Sequence, residues 1–114
     1  MSQDCLFCKI VNGDIPSDRV FEDDQVIAFK DINPQAPVHI LIVPRQHIAT
    51  TNDLTIENSD LLGHMIITAQ HIVAENSLTE PGYRLVMNCN EQGGQTVYHI
   101  HLHILGGRQL RGLG

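Results

Sequence analysis

The sequence is short of basic side chains. Its 114 residues carry seven Lys plus Arg against thirteen Asp plus Glu, a formal net charge of −6. Proteins that bind duplexes present a basic patch, and the few bases here are scattered, so nucleic acid is not an expected partner. A small phosphate ligand stays open, because main-chain N–H groups and histidine bind one against an acidic background. Long apolar runs are missing too. Every stretch is broken by Pro, His or charge well before the roughly 20 residues that cross a membrane, so no membrane partner is expected. The start, Met1-Ser2-Gln3-Asp4, has neither the basic flank nor the apolar core of a leader, and the expected location is cytoplasmic. Cysteine is scarce: Cys5, Cys8 and Cys89. An odd count with one C-x-x-C pair does not fit a secreted disulfide framework and leaves reduced thiols or a metal site. There is no repeat and no low-complexity segment.

What is present suits one compact domain over residues 1–114, with 42% hydrophobic residues to build a core. Residues 4–12 carry Leu6, Phe7, Ile10 and Val11 at helical spacing and stop at Asn12-Gly13. Ile15-Pro16-Ser17 is a turn. Arg19 to Glu22 and Val26 to Ile32 read as strands joined through Asp23-Asp24 as a hairpin. Asn33 to Pro37 is a loop, because each Pro pushes its predecessor out of the helical region. Val38 to Pro44 is β-branched and apolar, the pattern of a central strand.

One long helix is expected from about 54 to 77. Leu61, Leu62, Met65, Ile66, Ala69, Ile72 and Val73 form its inner stripe; Asp60, His64, Thr68, His71 and Glu75 form the outer one. Strands follow at Tyr83 to Asn88 and His99 to Leu105, with a polar Gly-containing loop over Asn90 to Gln95. Gly106-Gly107 ends the last strand, and the tail is expected to be extended. A long helix and a short N-terminal helix on a mostly antiparallel sheet make an α+β fold.

The strand His99-Ile100-His101-Leu102-His103 carries the chemical signal. On a strand His99, His101 and His103 share one face, about 6.5–7 Å apart, while Ile100, Leu102 and Ile104 share the other. Neutral imidazole is a nucleophile and its N–H a donor, so one such face can serve phosphate chemistry near pH 7. A metal-only cluster and a solvated face are the competing readings.

The run from Gly93 through Arg108 resembles the histidine-triad (HIT) signature, His-φ-His-φ-His-φ-φ. The likeness extends to Phe29 through His39 and to Gly82 through Asn88, and is specific to the Hint branch of nucleotide-binding proteins. It implies a homodimer that hydrolyses purine nucleoside phosphoramidates or aminoacyl-adenylate-like substrates through a nucleotidyl-histidine intermediate. By this resemblance His101 is the nucleophile, held through Nδ1 by a main-chain carbonyl. His103 bonds a phosphate oxygen or passes a proton to the leaving amine. His39 is a further site histidine, and Thr96 stands where a Ser hydroxyl usually contacts the phosphate or leaving group. Asn88 and Gly94 belong to the ribose–phosphate region, and Asp31 accepts the ribose hydroxyls. Leu6, Phe7, Ile10, Phe29 and Ile32 form the apolar pocket of the purine. Two readings compete on function: a dinucleoside-polyphosphate hydrolase, and a nucleotide-binding scaffold whose catalysis is incidental.

Relatives with the same N-terminal C-x-x-C hold zinc with two further histidines. The resemblance places that set here at Cys5, Cys8, His47 and His99, a structural Cys₂His₂ zinc site. The alternative for Cys5 and Cys8 is two buried thiols. His64, His71 and Cys89 receive no role. The tail from Gln109 to Gly114 is short and lacks a bulky aromatic, which points to an open amine-side pocket.

Overall fold

The computed structural model describes residues 5–114; the expectations for Met1 to Asp4 lie outside the described residues. Helix α1 spans Leu6–Val11, followed by strands β1 (Arg19–Glu22), β2 (Val26–Lys30) and β3 (Val38–Pro44). The long helix α2 is Ser59–Glu75, and strands β4 (Tyr83–Val86) and β5 (Leu102–Gly106) close the chain. The strands form one antiparallel sheet in the order β1-β2-β3-β5-β4. The fold is α+β, as the sequence suggested. Among the described residues no helix is long and apolar enough to cross a membrane.

Alternation along the strands divides the interior in two. Val26, Ala28, Ile40, Ile42, Leu102 and Ile104 point to one face and pack against Met65, Ala69, Ile72 and Val73 of α2. Ile27, Phe29, Leu41 and Val43 point to the other face, where Phe7, Cys8 and Ile10 of α1 cover them. The β1–β2 hairpin is set by Asp23, whose Oδ1 accepts from the N–H groups of Gln25 (2.8 Å) and Val26 (2.9 Å).

The structure corrects several boundaries. Residues 51–58 form two short 3₁₀ turns, capped by the hydroxyls of Thr50 and Thr55, so α2 begins at Ser59 and not near 54. The inner stripe of α2 is the expected one at Leu61, Leu62, Met65, Ala69, Ile72 and Val73, but Thr68 is buried with it and Ile66 is exposed. β2 stops at Lys30 and β4 at Val86, short of Ile32 and Asn88. The largest correction concerns the histidine strand. Ladder pairing starts at Leu102, and His99-Ile100-His101 is an irregular lead-in. The Ile100 N–H donates to the Ile48 carbonyl at 2.8 Å instead of to a neighbouring strand.

Candidate active site

A cavity of about 270 Å³ lies on the α1 side of the sheet. Its lining includes Leu6, Phe7 and Ile10 of α1, Phe29, Asp31 and Ile32 at the end of β2, and Thr96, His101 and His103. Phe7, Ile10 and Phe29 are buried walls, whereas Leu6 is half-exposed and Ile32 lies fully at the rim. Phe7 sits edge-on to Phe29 (5.7 Å between centroids) and to His101 (4.9 Å). Asn88 and Gly94 do not line the cavity. They meet in the loop before it, where Asn88 Nδ2 donates to the Gly93 carbonyl at 2.6 Å and Gly94 takes a φ of +85°.

Hydrogen bonds to the main chain fix which nitrogen of each histidine carries its proton, because a carbonyl only accepts and an amide N–H only donates. His101 Nδ1 lies 2.8 Å from the His99 carbonyl, so Nδ1 holds the proton and Nε2 the lone pair. His39 Nδ1 accepts from the Gln35 N–H at 3.0 Å, so neutral His39 is protonated on Nε2. That N–H donates to His103 Nδ1 at 2.9 Å, which puts the His103 proton on Nε2. Asp31 stands 3.5 Å from His39 Nε2 and caps the following turn by accepting from the Asn33 N–H.

Burial lowers all three imidazoles, His103 to about 4, with the neighbouring His101 and His39 adding to its shift. Desolvation dominates at His101 and outweighs the opposing effects of the His99 carbonyl and Asp31. The trio is therefore neutral near pH 7. One ring offers a free lone pair and its neighbour an N–H, the pair of functions needed to attack a phosphorus and assist a leaving group.

Behind Phe7 the chain gathers Cys5, Cys8, His47 and His99, with their ligand atoms within 4.8 Å of one another. His99 Nε2 donates to the Pro44 carbonyl at 2.7 Å. Its Nδ1 lone pair then faces Cys5 Sγ (3.3 Å), Cys8 Sγ (3.5 Å) and His47 Nδ1 (3.2 Å). Burial and the adjacent Cys5 sulfur push the Cys8 thiol up to about 11. Two sulfurs, two ring nitrogens and a carbonyl holding one ring by its far nitrogen suit a tetrahedral cation. Asp31, His39 and His103 also cluster, but they fit a metal poorly. With Nδ1 of His39 accepting from Gln35, a metal at Nε2 would require an imidazolate.

A family model described as the scavenger mRNA decapping enzyme C-terminal binding domain matches residues 4–112. The purine nucleoside phosphoramidase of Escherichia coli K12 is 53% identical over 110 residues, covering 96% of this chain and 92% of that protein. The crystal structure of a HIT family hydrolase from Legionella pneumophila superposes with a TM-score of 0.94 at 56% identity, over 95% of this chain and 96% of that one. The chain belongs to the HIT family. A histidine triad nucleotide-binding protein from Candida albicans shares the fold at a TM-score of 0.81 and 28% identity, over 97% of this chain and 86% of that one. Those relatives carry the names of a phosphoramidase, a hydrolase and a nucleotide-binding protein.

Several residues of this HIT site gave no signal in the sequence. Gln95 is buried, accepts from the Asn90 N–H (2.8 Å) and donates to the carbonyls of Ala49 (2.7 Å) and Val97 (3.1 Å). It pins the loop that delivers Thr96. The Gln35 N–H, which sets the tautomer of His39, is a main-chain group and has no sequence signature. Ile15, Pro16 and Ser17, read only as a turn, line the far end of the cavity. Their nearness to an apolar helix was the one available hint.

Proposed function

We propose that this protein hydrolyses purine nucleoside 5′-phosphoramidates in two steps through His101. The observation that carries the reading is the His101 Nδ1–H bond to the His99 carbonyl, which leaves Nε2 as a neutral nucleophile on the wall of an apolar cavity. The purine lies among Leu6, Phe7, Ile10, Phe29 and Ile32, the ribose hydroxyls reach Asp31, and the α-phosphate meets Thr96 and His103. Asn88 and Gly94 hold the ribose–phosphate loop.

In the first step His101 Nε2 forms a bond to phosphorus and the P–N bond breaks. The departing nitrogen keeps the electron pair and takes the proton of His103 Nε2; the negative charge this leaves on the His39–His103 pair is balanced by the positive charge that the His101 ring gains on bonding phosphorus. In the second step water attacks phosphorus, the bond to Nε2 breaks, and the water proton returns to His103. AMP and the free amine are the products. Splitting the displacement in two replaces one hard step with two easier ones. A hollow lined by Leu6, His47, Ala49, Thr96, Val97 and Tyr98 adjoins the cavity and gives the amine an open exit.

Zinc is the cation that suits Cys5, Cys8, His47 and His99. It supplies no reacting oxygen, because all four positions are filled by the protein, and it ties α1 to the lead-in of β5. A homodimer is the expected assembly. Its support is the unpaired edge of β4 and the exposed apolar Ile66, Ile67 and Tyr83.

The test is turnover of adenosine 5′-phosphoramidate, followed as AMP release. Wild-type protein is expected to turn it over, and His101→Ala to bind AMP but release none from the substrate. Equal turnover by the two proteins would remove His101 from the mechanism.

A further inference from the structure

His99 belongs to two networks at once. Its imidazole lies in the Cys5/Cys8/His47 cluster, and its carbonyl receives the Nδ1–H of His101 at 2.8 Å. We infer that cation occupancy of the cluster sets the competence of the nucleophile, with His99 as the positioning residue between them. This rests on the zinc reading above and extends it from fold to catalysis.

The lead-in to β5 is what makes the coupling necessary. His99, Ile100 and His101 precede the ladder, so sheet hydrogen bonds do not place them. The Ile100 N–H to Ile48 and the His99 ring to Pro44 (2.7 Å) hold this stretch on one side. On the other side the His99 Nδ1 lone pair faces two sulfurs and another ring nitrogen across 3.2–3.5 Å. Thiol S–H donors hold such atoms together only weakly, whereas a cation binds all four lone pairs at once. Bound there, the cation fixes the ring of His99, and with it the carbonyl that dictates which nitrogen of His101 is free.

A second path runs through α1. Cys5 and Cys8 bracket Leu6 and Phe7, which line the cavity. Phe7 stands edge-on to both imidazoles, 6.1 Å from His99 and 4.9 Å from His101. A helix of six residues has little stability of its own and depends on its anchors. Loss of the cation therefore acts on kcat through the orientation of His101 and on KM through the Leu6–Phe7 wall.

The experiment compares zinc-loaded, chelator-stripped and Zn²⁺-reloaded wild-type protein, and adds His47→Ala. His47 is exposed, lies outside the purine cavity although it borders the adjoining hollow, and its removal leaves His99 intact. The readouts are zinc content, ¹⁵N NMR of the His101 ring, and kcat and KM. Loaded protein is expected to show one His101 form, protonated on Nδ1. Stripped protein is expected to show both tautomers and a kcat lower by about 10–100-fold, the usual cost of losing support behind a functional ligand, with recovery on reloading. Folded His47→Ala is expected to match the stripped form. Stoichiometric zinc with an unchanged His101 spectrum and kcat after its removal would overturn the coupling and leave the zinc reading standing. Failure of the protein to bind Zn²⁺ at all would overturn both.

Discussion

Gln95 offers a demanding test of how the loop before Thr96 is held. Its side chain is 5% exposed and makes three hydrogen bonds, all to main-chain groups, at 2.7–3.1 Å. Truncation in Gln95→Ala removes all three and leaves an N–H and two carbonyls with little access to water. At about 1 kcal/mol net for each, the expected loss of stability is about 3 kcal/mol. Urea unfolding measures it as a lower midpoint at an unchanged m-value.

Gln95→Glu separates hydrogen bonding from packing. It keeps the size but turns an oxygen toward the two carbonyls that now receive N–H donors. At neutral pH it is expected to be worse than Ala. A protonated carboxyl restores one donor, so burial raises its folded pKa, and the stability it contributes is present at low pH and lost as pH rises. The Glu variant should therefore gain on the Ala variant as pH falls. Because the loop carries Thr96, both variants should also raise KM. An Ala variant within about 0.5 kcal/mol of wild type would refute the reasoning.

Three further outcomes follow from the same geometry. Gln35→Pro deletes the N–H that fixes the His39 tautomer and should lower kcat at least about tenfold, a fraction of the 10²–10⁴ that acid–base assistance is worth. KM should stay near wild type, since Gln35 does not line the cavity; an unchanged kcat would exclude the relay. Acid should unfold the protein early. His103 drops from an ordinary 6.5 to about 4 on folding, so the unfolded chain takes the proton first and stability falls as pH descends from 6.5 toward 4, by about 3 kcal/mol at 1.4 kcal/mol per pKa unit. Asp23 adds to this further down. Burial alone would raise its carboxyl, but the N–H groups of Val26 and Gln25 and the ring of His64 lower it. Its contribution is present above about 3.9 and lost as pH falls through the lowered value. Urea midpoints that stay flat from pH 7 to 4 would contradict the His103 account, and midpoints that stay flat on further acidification below pH 4 would contradict the Asp23 account. Gly107→Ala places a Cβ 2.8 Å from Pro37 Cβ at a φ of +97° and should cost about 1–3 kcal/mol, read as a lower Tm.

Much of the architecture was legible because it rests on periodicity. β3 reads as a strand over the same residues, Val38–Pro44, that form it, since a β-branched apolar run has few other solutions. Period alone misplaced the start of α2 and, on an otherwise correct inner face, the positions of Ile66 and Thr68. Two threonine-capped 3₁₀ turns absorb the chain before Ser59, and Thr68 is small enough to be buried where a polar residue was expected outside. The histidine triad was legible as a motif but not as a geometry. Alternation suggested three equivalent rings on one strand, whereas His99 turns away to Pro44 and the cysteines, and His101 and His103 remain at the cavity. Gln35 and Gln95 were illegible because Gln35 acts through its own main-chain N–H and Gln95 on main-chain partners, groups that any sequence would supply.

The central claim is that His101 forms the covalent intermediate. Protein mixed with adenosine 5′-phosphoramidate, quenched within a turnover and examined by peptide mass spectrometry tests it directly. The account predicts an adenylyl adduct on His101 that is absent from His101→Ala. Turnover with no adduct at the shortest quench times, or an adduct on His39, His99 or His103 instead, would contradict it.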